Sequence, residues 1–222
     1  MNLENMLEDI EKFKQLNTLK KTKNQEGFIY DPLIYNNHNY GFMVFSEGKY
    51  KKYLKKLYDY QYKHRYYYYE KIDNQNDKNV VFVMFNPSYA CPTKDDPTIR
   101  NCRILAKKYQ YGSMEIINIF SERNPEVEEI DTNNNSENKQ FIELFLKNRA
   151  NSDIVLAWGY GKEKRYKEQI DQVKNLLKNT NKYKITVNVD AFKSIKDLDR
   201  HPAPSCWSAF NGFENAAELT KY

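Results

Sequence analysis

Cysteine is scarce in this chain: Cys91, Cys102 and Cys206 are odd in number, far apart and never in a CxxC pair. That excludes a disulfide framework, and it argues for reduced thiols in a cytosolic protein rather than for structural zinc or an iron–sulfur cluster. Histidine is equally scarce, at three, and no set of metal ligands with workable spacing can be assembled. No metal and no other cofactor is therefore expected. Glycine numbers 7 in 222 residues, and neither GxGxxG nor GxxxxGK[ST] occurs, so there is no glycine-rich phosphate loop. No apolar run approaches the roughly 18–20 residues that span a bilayer. Residues 1–24 lack the uninterrupted apolar core of a signal peptide. These absences point to a cytoplasmic protein away from membranes.

What is present is enough chain to bury a core, as one large domain or two small ones. The formal net charge of +5 is too modest to imply nucleic acid, but its distribution is uneven. Between Lys49 and Lys71 lie eight cations, among them Lys51, Lys52, Lys55 and Lys56, opposed by Asp59 and Glu70 alone. Nine of the nineteen tyrosines fall in the same stretch, including the run Tyr66 to Tyr69. Cations interleaved with aromatics suit a surface that tracks phosphates and stacks bases. They equally suit an ordinary strand pair in a Lys- and Tyr-rich protein, and both readings stay open.

Leu3, Met6, Leu7, Ile10, Phe13, Leu16 and Leu19 repeat at three- and four-residue spacing, which predicts an amphipathic N-terminal helix with its linker over 1–26. Residues 27–222 are expected to form one α/β domain. Its first part, 27–71, reads as strands joined by hairpin turns. Val80–Phe85 is a continuous apolar strand of the kind buried on both faces of a parallel sheet. Asp96 can cap a helix that starts at Pro97 and stops at Gly112. Strands are expected at Glu115–Phe120, Ile154–Trp158 and Tyr183–Val189, with helices between them and a last short helix at Phe213–Leu219. Such alternation predicts a three-layer α/β/α sandwich around a mostly parallel sheet, whose ligands bind beyond the C-terminal strand ends.

Three polar residues stand at that edge. Asn86 ends the first apolar strand, Asn118 lies in "EIINIF", and His201 lies in "DRHPAPSCW" after the fourth. An asparagine amide is donor and acceptor at once, able to hold a water or read a base edge. A histidine can donate to an oxygen on which negative charge is growing. Pro87, Pro202 and Pro204 pin the two loops.

The segments "FVMFNPS", "IINIF", "DIVLAWG" and "HPAPSCWSAFNGFENAAEL" resemble, in order and context, the motifs of the uracil-DNA glycosylase superfamily. "MFNPSYACPTKDDPTIRNC" with "YGSMEIINIF" and "VLAWG" is more similar still to a bacterial family catalogued as domain of unknown function 1643. The resemblance covers roughly residues 40–222. It implies a uracil-DNA-glycosylase-like fold and a DNA glycosylase, acting in repair or in defence against phage with modified DNA. Asn86 would then position the attacking water, Asn118 read the base, and His201 donate to the pyrimidine carbonyl as the bond breaks. Tyr89 would wall the base pocket, and Ser88 and Ser205 would contact phosphates or loop backbone. Pro87, Asp96 and Arg100 complete the implied substrate-binding set, and Trp207 stands with Ser205 on the DNA side.

The chain departs from those motifs in three places. The first motif lacks its leading glycine, Ala203 replaces a serine, and Ser205-Cys206-Trp207 replaces the leucine wedge. Asp95 and Asp96 have no counterpart in the ordinary uracil enzymes. Asp95 is assigned a catalytic assisting role, because an amide at position 86 cannot act as a base. Uracil is the default substrate and a modified base the alternative. Two other classes remain in view: a non-catalytic nucleic-acid sensor on the same fold, and an N-glycosidase acting on free nucleosides or nucleotides.

Overall fold

The computed structural model describes residues 3–15, 22–23, 28–35, 39–46, 64–87, 96–124, 130, 135–159, 162–187, 200–203 and 213–222. They form an α/β domain on a nine-stranded mixed sheet in the order β1-β2-β3-β4-β6-β5-β7-β8-β9. The strands are β1 (Thr22–Lys23), β2 (Phe28–Tyr35), β3 (Asn39–Ser46), β4 (Arg65–Lys71), β5 (Asn79–Met84), β6 (Ser113–Asn118), β7 (Asp153–Leu156), β8 (Lys182–Val187) and β9 (Ala217–Lys221). The helices are α1 (Leu3–Gln15), α2 (Pro97–Lys108), α3 (Ser136–Lys147), α4 (Lys162–Arg165), α5 (Lys167–Leu176) and α6 (Phe213–Ala216). No helix among the described residues is long and apolar enough to cross a membrane.

The apolar run of β5 sits at the heart of the sheet, parallel to β6 on one side and to β7 on the other. Strand alternation divides it between two cores. Val81, Val83 and Phe85 face one cluster with residues of α1, α3 and α5, while Val80, Phe82 and Met84 face a second with residues of α2 and α6. Helices therefore cover both faces of the parallel strands, which is why β5 carries no polar alternation.

The expected mostly parallel sheet is corrected to a mixed one. Only the pairings β6–β5, β5–β7 and β7–β8 are parallel. The strands β1 to β4 and the edge strand β9 pair antiparallel. Short links such as the one between β2 and β3 permit antiparallel pairing, whereas parallel pairing needs a crossover of about a dozen residues. The expected terminal helix is a second correction: after one turn, Phe213–Ala216, the chain becomes β9. Pairing with β8 satisfies one side of β9, and α2 covers groups of the other. Leu219 N–H donates to Tyr109 Oη at 2.8 Å and Lys108 Nζ donates to Ala217 O at 2.9 Å. The edge is thus closed to further strands.

Tyr66 to Tyr69 are a third correction, since this run is no base-stacking surface. Tyr67 and Tyr68 are fully buried in β4, and each hydroxyl reaches a buried carboxylate, Glu115 at 2.6 Å and Glu70 at 2.5 Å. Tyr66 donates to Glu137 at 2.5 Å. A tyrosine can be interior when its hydroxyl has such a partner. The cations Lys51, Lys52, Lys55 and Lys56 lie outside the described residues.

α2 starts as its sequence predicts. Asp96 Oδ1 accepts from the N–H groups of Thr98 and Ile99 at 2.7 and 3.4 Å, with Pro97 opening the helix. Its end is different: Gln110, not a glycine, takes the left-handed conformation at φ 58°. The Asn76 amide donates to the Gln110 carbonyl at 2.7 Å and fastens it. Gly112 serves a close approach instead, because a Cβ there would lie 1.6 Å from the Asn76 carbonyl oxygen.

α1 packs on the body through Leu3, Met6 and Ile10, all buried. Leu16 and Leu19, which the spacing placed on the same helix, lie outside the described residues.

Candidate active site

The crossovers reverse direction at β5. The chain leaves β5 for β6 on one side, then crosses back to β7 on the other. A crevice forms beyond the carboxyl ends at such a reversal, and it is the usual ligand site of open α/β sheets. Three segments reach it from the strands: 85–87 after β5, 119–124 after β6 and 157–159 after β7. Backbone bonds hold them in register past the strands, from Phe120 N to Phe85 O at 2.9 Å and from Ala157 N to Val83 O at 2.8 Å.

Asn118, the last residue of β6, stands opposite Met84. Its side chain is buried at 1% exposure, and among the described residues neither Oδ1 nor Nδ2 has a hydrogen-bond partner. An unsatisfied buried polar group costs about 1–3 kcal/mol. Its backbone is held firmly, since Asn138 of α3 donates Nδ2 to the Asn118 and Ile119 carbonyls at 3.0 and 2.8 Å. A rigid strand end thus carries an uncommitted amide, which suits a ligand edge with a matching donor and acceptor.

Asn86 is arranged otherwise. Its Nδ2 donates to the Asn124 carbonyl at 2.6 Å and to the Pro87 carbonyl at 3.3 Å. Asn124 N–H returns a bond to Pro87 O at 3.3 Å. The amide nitrogen is spent on clipping the β5 and β6 loops together, so the carbonyl oxygen is the atom left to accept from a water.

His201 enters from the far side of the crevice. Its loop hangs from β8 by Arg200 N to Ile185 O at 3.0 Å, and from α2 by Asn101 Nδ2 to Pro202 O at 2.6 Å. Gly159, at φ +89°, gives it room: a Cβ on that glycine would lie 3.0 Å from the His201 Cβ. His201 Nδ1 accepts the Ala203 N–H at 3.0 Å, so the neutral ring carries its proton on Nε2 as a donor.

A family model described as "Protein of unknown function (DUF1643)" matches residues 65–203. The chain belongs to this family. No curated protein and no solved structure matches it. The DUF1643 match runs from the start of β4 through the His201 loop, and therefore takes in Asn86, Asn118, Gly159 and His201 while leaving α1, β1 to β3 and β9 outside.

Burial pushes the His201 imidazole down to about 4, opposed by the Asp96 carboxylate and assisted by the Lys162 ammonium. The ring is thus neutral across the physiological range. Asp96 caps α2, and the charge of its carboxylate acts on His201. Arg100 lies exposed on α2. Tyr89, Ser88, Asp95, Ser205 and Trp207 lie outside the described residues. The structure adds partners that the sequence reading missed: Asn124, which fixes Asn86; Gly159, which admits His201; and Lys162, whose charge acts on the ring.

A cavity of about 210 Å³ between α3 and α5 is a separate feature. Ile119 contributes to its lining, and strand alternation sends the preceding Asn118 side chain to the opposite face.

Gly159→Ala is expected to reduce activity sharply, because a Cβ strains the positive φ and displaces His201 by a few tenths of an ångström. Steady-state rates beside thermal unfolding would check this. A variant with a full rate would mean that the His201 position tolerates movement.

Proposed function

We propose that this DUF1643 chain is a DNA glycosylase that hydrolyses the N-glycosidic bond of an extruded uracil or modified base, on a three-layer α/β/α fold of the uracil-DNA glycosylase type. The observation that carries the reading is the buried Asn118 amide, with both polar atoms uncommitted at the carboxyl end of the parallel strands. An imide edge offers one N–H beside one carbonyl, which an asparagine matches with one acceptor and one donor. Extrusion of the base from a duplex costs a few kcal/mol, which contacts of this kind repay.

The chemistry then divides among three residues. As the bond between the sugar C1′ and the base nitrogen breaks, the electron pair leaves with the base and negative charge grows on its carbonyl. The neutral His201 donates its Nε2–H to that oxygen, an interaction stronger in the transition state than in the ground state. Asn86 accepts a hydrogen bond from the water that attacks C1′. The proton released by that water goes to solvent or to a carboxylate, since an amide cannot take it. Asp95 is the carboxylate assigned this role from the sequence, and Tyr89 the pocket wall. DNA is the partner, with Lys51, Lys52, Lys55 and Lys56 as phosphate contacts.

A sensor that binds the base without chemistry is favoured by one observation, the commitment of the Asn86 amide nitrogen to the Asn124 and Pro87 carbonyls. One experiment separates the two. The protein is incubated with oligonucleotides carrying uracil or a panel of modified cytosines and guanines, then treated with alkali. Strand breaks at the marked position support the glycosylase; tight binding without breaks favours the sensor; neither result rejects both. Asn118→Asp is expected to lower uracil release and to favour bases with an exocyclic amine, because a carboxylate only accepts. The same cleavage panel reads that shift, and an unchanged preference would remove Asn118 from base reading.

A further inference from the structure

At least three of the buried or half-buried cations among the described residues have a carboxylate partner. Arg149 and Lys14 reach Glu115 at 2.7 and 2.6 Å, and Arg103 reaches Glu70 at 2.5 Å. Lys162 does not. It is half-buried at the start of α4, three residues past Gly159, and no carboxylate among the described residues pairs with it. Its Nζ lies 4.9 Å from the centroid of the Phe85 ring, and Phe85 immediately precedes Asn86. The Phe85 ring is itself wedged against Phe120 at 5.2 Å and Tyr166 at 4.8 Å between centroids, so the platform under the ammonium is rigid. Among the described residues, the charges that act on the His201 ring include the Asp96 carboxylate before α2 and the Lys162 ammonium on α4. An ammonium drawn partly out of water, with no carboxylate partner among the described residues, gains when an anion arrives.

We infer that the Lys162 ammonium is a second electrostatic partner of the departing base anion, acting beside His201 in the same crevice. This rests on the glycosylase reading. A hydrogen bond from a neutral imidazole brings no net charge, and the Lys162 ammonium over the Phe85 ring, whose field reaches His201, supplies a positive one. Its resting place over an aromatic face keeps it near the crevice without neutralising it. Lys162 also keeps His201 neutral by repelling a second positive charge, and Asp96 works in the opposite direction.

The test uses Lys162→Met and Lys162→Arg in the full chain, with Lys167→Met, an exposed lysine of α5, as control. Single-turnover cleavage and affinity are measured on one oligonucleotide that the protein cleaves, and affinity again on the same strand with an abasic analogue. His201 is titrated by NMR in the free protein. The methionine variant is expected to slow cleavage about 100-fold, the scale of one lost charge-stabilising group, with affinity within about twofold. Its His201 titration should move upward from about 4, and arginine should restore part of the rate. Equal loss of affinity for both oligonucleotides at an unchanged rate would make Lys162 a phosphate contact and overturn the inference. An unmoved His201 titration would overturn it as well. If the wild-type protein cleaves no member of the panel, the glycosylase reading itself falls, and the inference falls with it; the His201 titration then tells whether Lys162 faces the ring at all.

Discussion

Replacing His201 with alanine is expected to slow glycosidic cleavage by about 10²–10³-fold while leaving oligonucleotide affinity nearly unchanged. The ring donates to charge that exists only as the bond breaks, so its loss falls on the chemical step. His201→Gln, which keeps an N–H donor on a shorter reach, should recover part of the rate. The pH dependence carries a sharper signature. With the imidazole pushed down to about 4, Nε2 keeps a single tautomer from pH 5 through 8, and the rate should show no inflection near 6.5. An inflection there, matched by an NMR titration of His201, would mean a solvated ring and remove it from the donor role. The same depression affects stability with a definite sign. As pH falls below about 6.5 the unfolded chain takes up the proton first, so the contribution of His201 to folding stability declines from there to about 4 and itself changes no further below. Single-turnover rates across this range, beside urea unfolding at the same pH values, would separate the two effects.

The parallel core was legible because burial on both faces leaves a mark on the sequence. Val80 to Met84 shows no polar alternation, and it proves to be the strand with a helix layer on each side. The antiparallel wing was legible only as strands. Its fourth member, β4, was the harder case: four adjacent tyrosines read equally as a binding surface, since the ring is both apolar and polar-tipped. Only the folded chain decides that these hydroxyls point inward, through the distant Glu137 and Glu115 and through Glu70 on β4 itself. β9 was read as helix because Phe213, Ala216 and Leu219 fall at helical spacing. The open edge of β8 and the side chains of Tyr109 and Lys108, more than 100 residues distant, draw it into the sheet.

The site divides the same way. Asn86, Asn118 and His201 were legible by place, each following a strand in a fold whose ligands gather at those ends. Their separate states were not. Nothing local distinguishes the Asn86 amide, spent on Asn124 and Pro87, from the Asn118 amide, which is uncommitted. Lys162 was invisible among so many lysines. What marks it is the Phe85 ring beneath it and its place three residues past Gly159, and the first is a property of the folded chain alone.

The largest effect on stability is expected at Arg149, far from the crevice in its chemistry but central to how the N-terminal helix is held. Glu115 is fully buried in β6 and accepts from five donors: Arg149 Nε and Nη2 at 2.7 and 2.9 Å, Lys14 Nζ and Tyr67 Oη each at 2.6 Å, and Asn79 Nδ2 at 3.0 Å. Burial pushes this carboxyl up, and the charges of Lys14 and Arg149 overcome it and hold it at about 2. Arg149 also reaches Glu11 of α1 at 2.5 Å, so one guanidinium joins β6, the end of α3 and the N-terminal helix. Arg149→Met removes a counter-charge together with two of the five hydrogen bonds and leaves a buried carboxylate short of partners, a situation that typically costs about 3–5 kcal/mol. Lys14→Met should cost less, because Lys14 remains partly in water. The double variant Glu115→Gln with Arg149→Met should recover much of the loss, since no uncompensated charge is then buried. The Glu115 contribution to wild-type stability should be fully present above the ordinary glutamate range, near 4.3, and be lost as pH falls toward about 2, where Glu115 protonates in the fold; it adds to the His201 loss at higher pH. Urea midpoints for the three variants and for wild type across that range measure all of this. A loss below about 1 kcal/mol for Arg149→Met would mean that water reaches Glu115 and that the network does not hold α1 to the sheet.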